Sequence, residues 1–254
     1  MNARIPVRRA FSRAAAEYDS TAQFQRETGH ALLAAVPADV QPDCVADVGC
    51  GTGHGLGLLA TRWPQARQVA VDFSLAMTRR LPAESCRVCA DAESLPLATS
   101  SIDFYWSNLT LQWCTPTRFA AEAARVLKPG GSLAVSTLGP ATFSELRTAF
   151  ADVDGYRHTI DFHTADTLAS TFATAGLTGV RIESRPVVQH HADVGSLLGT
   201  IRRLGANRVT GSNRRTGLMG RSVWQRFVAN YERRRDARGL PLDYETILIV
   251  ARKP

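Results

Sequence analysis

The sequence predicts an α/β fold, a sheet with helices on both faces, and three observations predict it. First, Val45-Ala-Asp-Val-Gly-Cys-Gly-Thr-Gly53 is an apolar, β-branched run that passes through an acid and breaks into glycines at alternate positions, which reads as strand, tight turn and helix start. Second, two later apolar runs, Gln68–Asp72 and Arg87–Asp91, also close on acids. Third, helix-period stretches separate these runs, the rhythm of βαβ units.

Composition agrees. At 254 residues, with 44% hydrophobic and 21% charged, the chain has the make-up of a globular protein with a sizeable core, and one domain is expected over 1–254. No run of about eighteen apolar residues exists, so no membrane span is expected, and the start Met1-Asn-Ala-Arg-Ile-Pro6 lacks the apolar stretch of a secretory signal. Five cysteines lie scattered at 44, 50, 86, 89 and 114. Cys86-Arg-Val-Cys89 has no second pair, so it reads as two small apolar residues in or near the core rather than a zinc or redox site; a reducing cytoplasm and no bound metal are expected.

The elements follow in order. Helices are predicted over Val7–Tyr18 and Ser20–Val36, the second stopped by Pro37; as both precede the first strand, residues 1–40 are an added helical cap or lid. Strand Val45–Val48, helix His54–Trp63, strand Gln68–Asp72 and helix Ser74–Leu81 come next, with Ser74 as N-cap. Strand Arg87–Asp91 leads to a loop, then strand Ile102–Trp106 and helix Thr117–Leu127, ended by Lys128-Pro-Gly-Gly131. Strand Ser132–Leu138, helices Thr142–Val153 and Ala165–Ala175, and strands Val180–Val188 and Tyr244–Ala251 complete a seven-stranded sheet. Between the last two strands lies an insertion, 193–239, with helices Val194–Leu204 and Ser222–Arg238; the core is then 41–192 and 240–254.

Charge is concentrated in that insertion. Between Gly195 and Arg238 eleven arginines face Glu232 and Asp236, a balance of +9, so of the overall +7 the rest of the chain carries −2. This suggests either an acidic partner or a solvated arginine-rich helix face, and charge alone does not choose.

The glycine spacing narrows the chemistry. Gly49-x-Gly51-x-Gly53 is neither the G-x-G-x-x-G of a dinucleotide site nor a P-loop. Asp47 could fix the loop amides or meet a ligand ammonium, and Asp72, nineteen residues after Gly53, could take both hydroxyls of a ribose. These features resemble the class I S-adenosylmethionine-dependent methyltransferases. The resemblance implies a Rossmann-like, mostly parallel sheet, S-adenosylmethionine as cofactor, and a cofactor site formed by Gln25, Asp47, Gly49, Cys50, Gly51, Gly53, Asp72, Asp91, Ala92 and Asn108, with Asp91 at the adenine amino group.

After the fourth strand stands Ser107-Asn-Leu, not the Asn/Asp-Pro-Pro-aromatic motif of enzymes that methylate the exocyclic amine of a base, and the basic insertion carries only Trp224 and Tyr231 as aromatics; no nucleic-acid partner is expected. Phe11–Asp19, Ser107-Asn-Leu-Thr-Leu-Gln-Trp-Cys114, Thr137–Arg147, Leu204-Gly-Ala206 and Gly239–Glu245 are similar to the malonyl-acyl-carrier-protein O-methyltransferase family of biotin synthesis, over nearly the whole chain; His158-Thr-Ile-Asp-Phe162 and Asp243 depart from its pattern. The resemblance implies methylation of the free carboxyl of a malonyl thioester, on acyl carrier protein or coenzyme A. It also implies an acidic carrier docking on the arginines of 195–238; a monomer is expected. A carboxyl with a reference pKa of about 4 is already an anion at neutral pH, so positioning and exclusion of water matter more than a base. Arg202 and Arg147 are candidates to hold the second carboxylate oxygen, with Tyr18, Gln112, Trp113 and Tyr244 shaping the pocket. Trp113 may equally be a core aromatic, and Arg147 may face solvent. His190 and His191, adjacent in a strand, point to opposite faces and do not share a metal.

Overall fold

The computed structural model describes residues 22–203, 217 and 219–254. The predicted helix Val7–Tyr18, with Tyr18 itself, and Leu204-Gly-Ala206 lie outside the described residues. Among the described residues no helix is long and apolar enough to cross a membrane.

The elements run α1 (Gln23–Ala35), β1 (Cys44–Val48), α2 (His54–Arg62), β2 (Arg67–Asp72), α3 (Leu75–Thr78), β3 (Cys86–Cys89), β4 (Ile102–Ser107), a 3₁₀ turn (Leu111–Trp113), α4 (Pro116–Val126), β5 (Leu127–Leu138), α5 (Ser144–Ala151), α6 (Ala165–Thr174), β6 (Thr178–His191), α7 (Val194–Arg203), α8 (Arg221–Glu232) and β7 (Leu240–Arg252). The seven strands form one sheet in the order β3-β2-β1-β4-β5-β7-β6. β1, β2, β3, β4 and β5 pair in parallel, whereas β7 is antiparallel to both β5 and β6. The strand order reverses direction between β1 and β4. The chain connections leave β1 and β4 toward opposite halves of the sheet, the position at which open α/β sheets form a crevice at the carboxyl edge.

Strand alternation divides the core between the two faces. Ala46, Val48, Tyr105, Leu133 and Val135 pack with Phe119 and Ala123 of α4 and Phe172 of α6. Val45, Phe104, Trp106 and Ala134 turn the other way, toward Leu32 of α1 and Leu59 of α2. The α1–α2 contact is locked by Arg62, whose guanidinium donates to Leu33 O, Val36 O and Pro37 O at 2.6, 3.0 and 2.8 Å, carbonyls at the end of α1 where Pro37 stops it.

Three expectations change. The predicted helix over 74–81 is one turn, Leu75–Thr78, because Arg80 and Leu81 donate to Met77 O and Thr78 O in tighter i−3 bonds ahead of Pro82. The last two strands are longer than predicted, since residues 178–191 and 240–252 pair with one another as an antiparallel ribbon over polar positions that a hydrophobic pattern misses. Cys86 and Cys89, expected in or near the core, are exposed on β3, the edge of the sheet.

The segment between β6 and β7 has its own core. Val194, Leu197 and Ile201 of α7 and Phe227 and Tyr231 of α8 pack with Leu146 and Phe150 of α5 and with Tyr244. Phe227 stacks on Phe150 at 3.9 Å between centroids, and Phe150 on His158 at 3.4 Å. α8 is thus fastened through apolar area. Phe227→Ala is expected to cost about 3–5 kcal/mol, the range for removing a fully buried aromatic; a chemical denaturation curve would show this, and a loss below about 1 kcal/mol would mean that α8 is not docked on α5.

Candidate functional site

The glycine turn after β1 is held from three directions. Gly49 N–H and Cys50 N–H both donate to Val71 O, at 2.7 and 3.0 Å, which pins the turn to β2. Gly49, Gly51 and Gly53 all have positive φ, +83°, +53° and +98°. A Cβ on Gly49 would also collide with Thr110, so the loop after β4 presses directly on the turn. Asp72 supplies the third hold. One of its oxygens accepts Gly51 N–H at 3.0 Å and the other accepts Ser74 N–H at 2.8 Å. Burial pushes this carboxyl up and the two amide donors oppose that shift. Asp72, rather than Asp47, is therefore the acid that fixes a loop amide.

Two adjoining cavities open at this edge. One encloses about 660 Å³ and is lined by Asp72, Met77, Asp91, Ala92, Leu109 and Trp113 among others. The other, about 470 Å³, is lined by Gln25, Asp47, Cys50, His54, Gly55 and Trp106 among others. Gly49, Gly51 and Asn108 line both. Asp91 Oδ1 accepts Glu93 N–H at 2.9 Å, which turns the loop after β3 across the first cavity.

The second cavity holds an electrostatic imbalance. Gln25 Oε1, Asp47 Oδ2 and Trp106 Nε1 are buried with no hydrogen-bond partner among the described residues. Asp47 and Trp106 are register partners across β1 and β4, and only the missing Cβ of Gly55 leaves room beside both. Burial, with the Asp72 carboxylate nearby, pushes the Asp47 carboxyl up to about 8. Two acceptors and one donor, desolvated and unpaired, match the charged head of an α-amino acid, whose ammonium would meet the oxygens.

The remaining predicted residues fall at varied places. Asn108 is central: its Nδ2 donates to Gln25 O at 2.8 Å and its Oδ1 accepts from Ser136 Oγ at 2.6 Å. Gln112 Nε2 donates to Leu109 O at 2.7 Å, and Trp113 lines the first cavity. Tyr244 is buried, stacked on Phe24 at 4.2 Å, with its hydroxyl donating to Gln189 Oε1 at 3.2 Å. Arg147 spends its guanidinium on Thr142 O and Pro140 O, bracing the loop before α5, and Arg202 is exposed on α7; neither lines either cavity. Trp106, His54 and Thr110 line the cavities and were not picked out from sequence. Trp106 left no legible signal, because its place opposite Asp47 is set by the register of β4 on β1.

Residues 46–135, which span the glycine turn and the loop after β4, match the family model described as a methyltransferase domain. Among solved structures, the YcgJ protein from Bacillus subtilis superposes with a TM-score of 0.60 at 15% identity, over 89% of this chain and 98% of that one, which speaks to the fold alone. Similarity in sequence reaches further. The malonyl-[acyl-carrier protein] O-methyltransferase of Dechloromonas aromatica is 44% identical over 97% of this chain and 94% of its own length. The biotin biosynthesis bifunctional protein BioHC of Cellvibrio japonicus is 38% identical over 98% of this chain and 50% of its own. With the Asp72-anchored glycine turn and the paired cavities in place, and with relatives of this identity matched end to end, the chain belongs to the malonyl-[acyl-carrier protein] O-methyltransferase family.

Proposed function

We propose that the protein transfers a methyl group from S-adenosylmethionine to the free carboxylate of a malonyl group carried as a thioester on acyl carrier protein. The product is the methyl ester that primes biotin synthesis, and the reaction takes place in the cytoplasm. The observation that carries the reading is the pair of adjoining cavities that share Gly49, Gly51 and Asn108 in their linings, with Asp72 in one and Asp47 in the other. Bound there, the cofactor supplies a methyl group activated on a sulfonium.

The residues divide the work. Asp72, with a lone pair left on each oxygen after its two amide bonds, takes the ribose hydroxyls, and Asp91 with Ala92 receives the adenine. Asp47 and Gln25 take the ammonium of the amino-acid head, and Trp106 Nε1 donates to its carboxylate. Met77, Leu109 and Trp113 supply apolar wall that excludes water where the acceptor enters. A malonyl carboxylate arrives ionised, so these groups orient it without having to remove a proton.

Carrier docking falls to the arginines that the fold leaves uncommitted. Arg235 is paired with Glu232 and Arg238 with Asp236, and Arg226 donates to Val153 O. Arg221, Arg233 and Arg234 are exposed at the two ends of α8, available to an acidic partner.

The direct test is transfer of labelled methyl to malonyl-carrier protein as a base-labile ester, with acetyl-carrier protein as the blank; equal labelling of both would remove the substrate assignment. Asp72→Asn is expected to weaken cofactor binding about ten- to hundredfold in calorimetry, since an amide beside Gly51 N–H replaces an acceptor with a donor. Asp47 yields a prediction in pH. Its folded value of about 8 lies above the ordinary 3.8, so the folded apoprotein holds this proton more tightly than the unfolded chain, and the stability it contributes below pH 4 is lost as pH rises to 8. Asp47→Asn should therefore flatten the fall in apoprotein stability between pH 4 and 8 while weakening cofactor binding; an unchanged slope would show that Asp47 is not held protonated. Reversing Arg221, Arg233 and Arg234 to glutamate should raise KM for malonyl-carrier protein about tenfold or more at low salt and leave KM for malonyl-coenzyme A within about twofold. Equal change for both substrates would place docking elsewhere.

A further inference from the structure

Leu109, directly after Asn108 at the cavity wall, has φ +54°, a left-handed backbone that a branched side chain rarely adopts. Its neighbours explain how it is kept there. Leu109 N–H donates to both Ser136 O, at 3.1 Å, and Ser136 Oγ, at 2.9 Å. Ser136 Oγ in turn donates to Asn108 Oδ1 at 2.6 Å, so this one hydroxyl, fully buried on β5, holds two consecutive residues of the wall. On the other side, Leu109 O accepts from Gln112 Nε2 at 2.7 Å, and Gln112 Oε1 accepts from Thr137 Oγ1 at 3.2 Å. Both polar groups of the Leu109 backbone are therefore tied, directly or through Gln112, to Ser136 and Thr137. Thr110, the next residue, fills the space a Cβ would need at Gly49, so the clamp and the glycine turn bear on one another.

We infer that Ser136 is a positioning residue for methyl transfer, and that Gln112 acts with it by clamping the left-handed Leu109 backbone rather than by touching the substrate. The clamp fixes where the Asn108 amide stands, at the boundary shared by the two cavities, and where Leu109 stands in the wall of the first, and hence the distance and angle at which an acceptor meets the cofactor. A backbone held by hydrogen bonds against its own preference moves when one bond is removed, and a displacement of about 1 Å can cost about a hundredfold in rate. The inference rests on the methyltransferase reading but not on the identity of the carrier, because any accepted malonyl thioester reports it.

The test separates rate from binding. Ser136→Ala, assayed at saturating cofactor and thioester, is expected to lose about ten- to hundredfold in kcat while cofactor Kd and thioester KM each move less than about threefold. Gln112→Ala, from the partly exposed side of the clamp, is expected to show the same split even where Ser136→Ala folds poorly. A Gln112→Ala variant that raises thioester KM and keeps kcat would mean that Gln112 binds substrate, and would overturn the inference. So would an unchanged kcat in a folded Ser136→Ala protein, or parallel loss of kcat and cofactor affinity. Failure of the parent enzyme to methylate malonyl thioesters would instead strike the functional reading, a distinct result.

Discussion

The arrangement depends on one close approach, that of Thr110 to the bare Cα of Gly49. β1 and β4 are parallel neighbours, and the loops leaving them face each other across the point where strand order reverses. A side chain at Gly49 would push these loops apart, because Thr110 already occupies its place and the backbone there has φ +83°. Without it, the loop after β4 settles on the glycine turn, and Asn108 comes to line both cavities at once.

The two acids behind the turn show how one environment gives similar groups different tasks. Asp72 is buried but spends each oxygen on a backbone N–H, and those bonds offset part of the desolvation. Asp47 is more deeply buried, with Asp72 nearby and an oxygen that finds no partner among the described residues. One carboxyl shapes the loop; the other has an oxygen left without a partner among the described residues. A cationic ligand would relieve a cost that the apoprotein carries, which couples cofactor binding to stability.

Arginine serves two separate purposes in this chain. Arg62 and Arg147 work inward, donating to three carbonyls at the end of a stopped helix and to two in a tight loop. In the segment between β6 and β7 the inner face is aromatic and aliphatic, with Phe227 and Tyr231 wholly buried, while arginines occupy the outside. The exposed pairs Arg235–Glu232 and Arg238–Asp236 add little stability, about 0–1 kcal/mol each. What holds α8 is apolar packing rather than its outer charge.

Much of this was legible in the sequence. Strand period, acids at strand ends and alternate glycines determined the order of strands and helices, the glycine turn, and the positions of Asp47 and Asp72 at the carboxyl ends of their strands, because local backbone geometry permits few other residues there. Helix α3 and the lengths of β6 and β7 were less legible, since a tightened last turn and a paired ribbon of mixed polarity leave weak periodic signals. Side-chain destinations were decided only in three dimensions. Arg147 reads as a carboxylate ligand until its guanidinium is found on Pro140 O and Thr142 O; Trp106 reads as core until its N–H is seen unpaired opposite Asp47; Ser136 is one small polar residue in a strand until Leu109 arrives above it. Which atom a long or polar side chain satisfies depends on segments distant in sequence, and that choice belongs to the packed chain.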